Sequence, residues 1–558
     1  MGMDMASKRS AAEKRPFYLQ WRTPDVFALA MLLLVTARLA VGALHGVDLN
    51  FGDDARYLER GLSLHPPFLP VGSDWAVWGP WYQLWFWGLG RLQSNPVVLY
   101  YATVLVLGMT LPVLLYVLLR RLKTRWEIAF VISWLYALSY ANWLTEPRVA
   151  LFAAWVMLIG WVGVLNLPTP GLRWWALALL ALMVAYVRPE FLMSAALFAV
   201  GSLLWFGYQR KTEHRRRVSR ARIGALGLLS ILTAALVLWW SFPFQQWRSV
   251  YAFGQHYFYN VQFCVQEGLD PDLHWEDVLA RDFGAPASLG EAVRRNPAAF
   301  ARHVGCNARG LLMVLGKVLL YHVPLVVKGY RWPEALGVGL VLLLIAGGCL
   351  LRPRCRRRVF ARWRHGTVWV VIVWALPVVT SAFLIYPREH YLVQLVPLFW
   401  VGYAYLFLPK ARAASRASAR WFWVLPVVLL LLTPSFDHFF QKAPQHPRLE
   451  AVVVASSLTD REPLRVAGTR DSGYFRLGCY LFPREYESLP RKRSTASVAE
   501  YLQEYRPDML LVSRGGLEFA GDATWQSLLE DSAAFGYRRI VLSTGDAWGP
   551  WQVFVLER

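Results

Sequence analysis

Cysteine is scarce in this chain. Five residues in 558 are too few and too scattered for a metal cluster. Acidic residues are also under-represented, 37 against 59 Lys and Arg, which leaves a formal net charge of +22. That excess could suggest nucleic acid, but the Lys and Arg residues lie in short runs between apolar segments, the pattern of cytoplasmic loops, so nucleic acid is excluded as a partner. No internal repeat of helical-array period and no long low-complexity segment is present. No small-residue cleavage pattern follows the apolar run after Lys8-Arg9, Lys14-Arg15 and Arg22. This start therefore reads as an uncleaved first helix rather than a signal peptide.

Charge is missing altogether from several windows of about 17 to 20 residues, long enough to cross a bilayer as helix. With 56% apolar residues and a mean hydropathy of +0.32, the chain belongs to the polytopic membrane class. Its basic clusters are the N-terminus, Arg120 to Arg125, Arg210 to Arg222, Arg352 to Arg364 and Lys410 to Arg420. All five are expected on the cytoplasmic side, the N-terminus included. Alternation then predicts spans near 26–44, 97–119, 127–145, 149–165, 172–187, 191–208, 223–242, 335–351, 367–386, 391–408 and 421–435, about eleven transmembrane helices in a membrane module over 1–435. Leu311 to Val327 is apolar too, yet counting it would put a basic cluster on the wrong side. Interrupted by Lys317 and His322, it reads as an interfacial or re-entrant helix.

Three regions are left to face outward: loops 45–96 and 243–333, and a tail over 436–558. In the tail, β-rich runs (Leu464 to Ala467, Met509 to Val512, Arg539 to Leu542, Trp551 to Leu556) alternate with helical ones (Ser497 to Tyr505, Thr524 to Phe535). That pattern predicts a small external α/β domain. The tail has no phosphate loop, metal spacing or nucleophile elbow; it reads as a lid or as an acceptor-binding module. Cys264 and Cys306 share the second loop, compatible with a disulfide or with two unrelated buried thiols.

The sharpest chemical signal is Gly52-Asp53-Asp54-Ala55-Arg56-Tyr57, just beyond the first apolar run. Adjacent carboxylates repel and pay desolvation beside hydrocarbon, so such a pair suits a site that binds a cation, takes a proton or holds a hydroxyl. Asp53 also fits as the cap of a short helix beginning at Ala55. Three short external turns bring further charge to the same face: Thr145-Glu146-Pro147-Arg148, Val187-Arg188-Pro189-Glu190 and Tyr386-Pro387-Arg388-Glu389-His390-Tyr391. Glu146 with Arg148, and Arg188 with Glu190, also fit simple ion pairs at helix ends. Carboxylates on one side and Arg/His on another suit a reaction in which a hydroxyl loses a proton while a phosphate departs. Trp75, Trp78, Trp81, Tyr82, Trp85 and Trp87 crowd the stretch after the pair; their rings suit sugar stacking and equally suit a membrane interface.

These motifs together resemble the GT-C superfamily of integral membrane glycosyltransferases, which use polyprenyl-phosphate sugars and include the aminoarabinose transferases of lipid A and the protein O-mannosyltransferases. The features that carry the resemblance are the acidic pair after the first span, an acid in the second external turn, an Arg-Pro turn after the fifth span, the Arg-x-His-Tyr turn and a soluble external tail. The resemblance covers roughly residues 20 to 435. It implies a mostly α enzyme of the inner membrane that transfers a hexosyl or pentosyl group, with inversion, from a polyprenyl-phosphate donor to a glycolipid, glycan or protein acceptor at the periplasmic face. It implies Asp53 or Asp54 as the catalytic carboxylate, with Glu146 orienting the acceptor or sharing a cation with the Asp pair. Arg388, His390 and Arg188 would hold the donor phosphate, and Trp78, Trp81, Tyr57 and Tyr391 would contact sugar or acceptor. Some members use a divalent metal and others none; the metal candidates here are Asp53, Asp54 and His256. Two other classes compete, a ligase or flippase for polyprenyl-linked glycans and a secondary transporter. The transporter would place its ionisable groups at mid-membrane depth on broken helices.

Overall fold

A computed structural model describes residues 23–43, 53–66, 79–143, 148–211, parts of 224–235, 247–269, 274–321, 332–410, 423–434, 460–468, 486–489, 497–512, 521–542 and 551–557. The chain divides into two compact units. One comprises Met1–Val41, Pro66–Trp81 and Leu105–Phe436; the other comprises Gly42–His65, Tyr82–Val104 and Asp437–Arg558.

The first unit is helical. Four of the described helices are long and apolar enough to cross a membrane: Thr23–Val41, Pro96–Arg121, Pro189–Tyr208 and Gly366–Leu384. A fifth span is reached if Gly337–Leu351 and Pro353–Trp363, bent by 101° at their junction, count as one. Trp126–Ala137, Val149–Val164, Pro170–Ala185 and Leu395–Phe407 are apolar but shorter. At a rise of about 1.5 Å per residue, 12 to 16 residues extend only ~18–24 Å, less than the roughly 30 Å of a hydrocarbon core. The protein is thus a multi-pass membrane protein with four or five full-length spans among the described residues. Pro297–Leu320, which covers the start of the expected interfacial segment, is not apolar enough to join them.

Helix starts follow local chemistry. Thr169 accepts from Leu172 N (3.4 Å) ahead of Pro170, and Asn296 accepts from Ala299 N (3.0 Å) ahead of Pro297. In both, a side-chain oxygen takes an orphan amide and proline occupies the position that needs no donor. The expected span at 127–145 is interrupted after Ala137. Ser139 turns its hydroxyl back to Tyr136 O (2.7 Å), and the short helix Tyr140–Trp143 follows. Side-chain-to-backbone bonds of this kind compete with helix continuation. In the core, Trp374 packs edge-on against Phe191 and Phe198, with centroids 5.6 and 5.4 Å away, and Ser194 donates to Val373 O (2.7 Å).

The second unit holds a five-stranded sheet: β1 Leu464–Gly468, β2 Tyr486–Ser488, β3 Met509–Val512, β4 Tyr537–Leu542 and β5 Trp551–Leu556, in the order β2-β1-β3-β5-β4. The first three strands are parallel; β5 runs antiparallel to both β3 and β4. All four residues of β3 are buried, as a central strand covered on both faces requires. The helices Val498–Tyr505 and Ala523–Glu530 bury Val498, Tyr501, Leu502, Trp525 and Leu528 in a core shared with Leu510, Val512 and Phe554. Ser497 with Glu500 forms a capping box, and Asp522 accepts from Thr524 N and Trp525 N. The edge strand β2 is absent from the sequence reading, three residues being too few for a periodic signal.

Candidate functional site

The Tyr386–Tyr391 turn is the most chemically concentrated part of the first unit. Gly310 on the helix Pro297–Leu320 lets the turn sit close, since a Cβ there would stand 3.2 Å from Pro387 Cγ. Three consecutive ionisable residues then go to three different environments. Glu389 accepts from the Tyr140 hydroxyl at one oxygen and pairs with Lys317 Nζ (2.5 Å) at the other. Lys317 in turn lies 4.9 Å from the Tyr140 ring centroid. Glu389 is therefore already neutralised by groups from two other helices.

Arg388, one residue earlier, has no acidic partner among the described residues. Its guanidinium carbon lies 5.4 Å from the Tyr259 ring centroid and 6.0 Å from that of Tyr386. Ring faces stabilise a guanidinium without cancelling its charge. His390 packs edge-on against Tyr391 (4.3 Å). Burial, followed by the positive fields of Arg388, Arg188 and His256, holds its imidazole well below the usual histidine range.

His256, on the helix Trp247–Asn260, completes the cluster. It is 3% exposed; its ring stacks on Tyr386 with centroids 5.0 Å apart, and its Nε2 lies 3.3 Å from the Tyr391 hydroxyl. Burial and then Arg388 depress its protonation as well. Both imidazoles are thus biased toward the neutral form, which has one N–H donor and one acceptor nitrogen.

Arg188 joins from the other turn, 4.8 Å from the Tyr391 ring centroid. It is paired with Glu190 at 2.7 Å, so the ion pair expected at that helix end is formed. Trp81 N donates to Tyr186 O (3.5 Å), and a side chain at Gly79 would collide with the Tyr186 and Val187 carbonyls, which fixes the segment leading to Trp81 against this turn. Arg188, Arg388, His390, Tyr391 and His256 are thus assembled in one unit, with the backbone of Trp81 at its edge.

The carboxylate pair is in the other unit. Asp53 occupies the N-cap position of the helix Asp54–Leu62, but no side-chain cap bond forms; its carbonyl accepts from Arg56 N (3.1 Å). The helix begins at Asp54, one residue before the expected start, and Asp54 is 0% exposed while Asp53 is half-buried. Tyr57 is buried edge-on against Tyr82, with centroids 5.1 Å apart. A close approach of Gly61 to Phe86 Cβ and Gln83 O, where a Cβ would stand 2.7 and 2.6 Å away, joins this helix to Pro80–Gly90. Glu146 and Trp78 lie outside the described residues. Arg148, fully buried, donates to the carbonyls of Asn142 and Trp143.

Among the described residues no group of three or more His, Cys, Asp or Glu stands close enough to hold a metal. Of the metal candidates, Asp53 and Asp54 belong to one unit and His256 to the other. The functional residues that the sequence did not single out are Tyr259, Lys317 and Tyr140. Tyr259 stands three residues after His256, helical spacing that places both on one face. Cys264 and Cys306 form a disulfide that ties the end of this segment to the helix Pro297–Leu320. Below it, Asn260 bridges His303 Nδ1 (2.9 Å) and Asn307 Oδ1 (2.8 Å), and Asn307 donates to Phe383 O (2.8 Å).

Neither a protein-family model nor a curated protein sequence matches the chain. Among solved structures, the chain is similar to the arabinofuranosyltransferase AftD from Mycobacteria, with a TM-score of 0.37 and 14% identity over 95% of this chain and 39% of that one. It is also similar to the archaeal oligosaccharyltransferase AglB from Archaeoglobus fulgidus, solved with an inhibitory peptide and a dolichol-phosphate, with a TM-score of 0.35 and 12% identity over 94% of this chain and 74% of that one. The chain spans about two fifths of the length of the mycobacterial protein.

Proposed function

We propose that the chain is a membrane glycosyltransferase that moves a sugar from a polyprenyl-phosphate donor to a hydroxyl acceptor, with inversion, at the external face of the inner membrane. The observation that carries this reading is the environment of the Tyr386–Tyr391 turn: Arg388 lies over tyrosine rings with no acidic partner among the described residues, while Glu389 pairs with Lys317. Such a group suits a phosphate, which it can meet with two parallel charge-assisted hydrogen bonds. His390, held toward its neutral form, supplies a further N–H donor.

In the reaction, a carboxylate of the Asp53/Asp54 pair takes the acceptor proton as the acceptor oxygen bonds to the anomeric carbon. The bond from that carbon to the phosphate oxygen breaks, and the phosphate leaves with the electron pair. Arg388 stabilises the charge that grows on the phosphate, an interaction stronger in the transition state than in the bound donor. Burial of Asp54 suits it to the tuning role and leaves the more exposed Asp53 as the base. Glu146 orients the acceptor, while Trp78, Trp81, Tyr57 and Tyr391 bound the sugar. The membrane part completes about eleven spans with the N-terminus cytoplasmic, and residues 436–558 form an external domain that meets a glycolipid, glycan or protein acceptor.

Purified protein in lipid, given a panel of radiolabelled polyprenyl-phosphate pentoses and hexoses with envelope-extract acceptors, tests the reading. Asp53→Asn is expected to lower turnover on the order of 10²-fold or more while donor binding survives. Full transfer by both Asp53→Asn and Asp54→Asn removes the catalytic assignment and favours the flippase and transporter readings.

A further inference from the structure

The helix Pro353–Trp363 turns away from Trp332–Leu351 by 101°. The earlier helix is apolar and outward-facing: Leu340, Leu343 and Leu344 are 57, 70 and 64% exposed. Such a surface requires hydrocarbon around it. It ends on Leu351, 84% exposed, and Arg352 begins the turn. The step from exposed leucine to exposed arginine within one residue marks the boundary between acyl chains and headgroups. A helix bent by nearly a right angle at that level runs along the membrane plane.

Its inner side is fixed. Val359 is buried, and Arg362 Nη1 donates to the carbonyls of Tyr405, Leu406 and Leu408 (3.0, 3.1 and 2.8 Å), satisfying the C-terminal end of Leu395–Phe407. The remaining arginines cannot turn inward in the same way: Arg354, Arg356, Arg357 and Arg358 are all exposed. Phe360 and Trp363, three residues apart on one face, are 61 and 47% exposed. No acidic residue occurs between Arg352 and Arg364, so nothing local neutralises these guanidiniums.

We propose that Pro353–Trp363 is an in-plane docking helix for the phosphodiester headgroups of anionic phospholipids, with Phe360 and Trp363 inserted at the acyl boundary. Charge complementarity selects the ligand. Arginine matches phosphate geometry, and amphipathic helices with basic and aromatic residues bind anionic interfaces at this depth.

The test uses the full-length protein in detergent, equilibrated with equal amounts of phosphatidylglycerol and phosphatidylcholine. Retained lipid is counted by mass spectrometry. Wild type should enrich phosphatidylglycerol, and raising salt from about 0.05 to 0.5 M should weaken that enrichment. Replacing Arg354, Arg356, Arg357 and Arg358 together by Gln should reduce it ~10-fold or more, at several-fold per arginine; replacing all four by Lys should keep most of it. Where the Gln variant fails to fold, the Lys variant and the salt titration of wild type decide. Equal retention of the two lipids by wild type, enrichment indifferent to salt, or full enrichment by a folded Gln variant overturns the proposal. So does a wild type that ignores phosphatidylglycerol yet binds a single-stranded oligonucleotide through these arginines.

Discussion

Two turns of this protein have nearly the same composition and opposite electrostatics. Val187-Arg188-Pro189-Glu190 and Tyr386-Pro387-Arg388-Glu389 each place one arginine and one glutamate beside a proline. In the first, the glutamate closes on its own arginine at 2.7 Å. In the second, the glutamate is drawn to Lys317 at 2.5 Å and to Tyr140, leaving Arg388 on tyrosine rings. In the proposed site, the destination of the acid separates a structural ion pair from a guanidinium able to meet a phosphate, and Lys317, 72 positions away, takes that acid.

The largest test of that contrast is alanine at each arginine. Arg388→Ala should weaken donor binding on the order of 10²-fold, since charge-assisted hydrogen bonds from a guanidinium to phosphate contribute about 1.5–3 kcal/mol. Arg188→Ala should cost less than tenfold, because its charge is already spent on Glu190. Equal losses, read by equilibrium binding of labelled polyprenyl phosphate, would erase the distinction between the turns.

A subtler intervention converts one turn into the other. Lys317→Met frees Glu389 beside Arg388 and should reduce phosphate affinity roughly tenfold, by an ion pair of the kind Arg188 makes. Adding Glu389→Gln should restore it. A Lys317→Met loss that Glu389→Gln fails to rescue would assign Lys317 a packing role instead.

The smallest effect is in titration. Arg388 outranks Arg188 among the charges that depress His390, so Arg388→Ala should raise the His390 pKa more than Arg188→Ala does. Histidine NMR reads the difference, and the opposite ranking would contradict the geometry. The buried imidazoles also shape stability. His303 is pushed down to about 4, chiefly by burial, and is 2% exposed. The unfolded chain takes that proton near 6.5 and the folded chain does not. Its contribution is therefore complete above about pH 6.5 and is lost as pH falls towards 4. A melting temperature that drops by several degrees over this range in wild type, and by less in His303→Asn, is the expected outcome.

Much of this was legible in the sequence. The Arg-x-His-Tyr turn announced itself by density of charge, and four of the five strands by β-rich runs bounded by turn residues. Apolar length located the helices but not their breaks: at the stop after Ala137, both the amide and the hydroxyl of Ser139 turn back to Tyr136 O. The partners of Glu389 were hidden for a different reason. Lys317 reads in sequence as an interruption of an apolar run, and Tyr140 as one aromatic among many; only folding brings them to one carboxylate. The Cys264–Cys306 bond was one of two readings that the shared loop left open.

The Lys317–Glu389 link joins a helix of the long loop to the turn that carries Arg388. Any displacement of Pro297–Leu320 that parts those two groups releases a carboxylate next to the guanidinium and dims the site's attraction for phosphate. By reciprocity, a phosphate held on Arg388 favours the helix in its docked position by the same free energy. On the proposed function, the position of that helix and phosphate occupancy at Arg388 are two readings of one equilibrium, so a label on the helix would register donor binding.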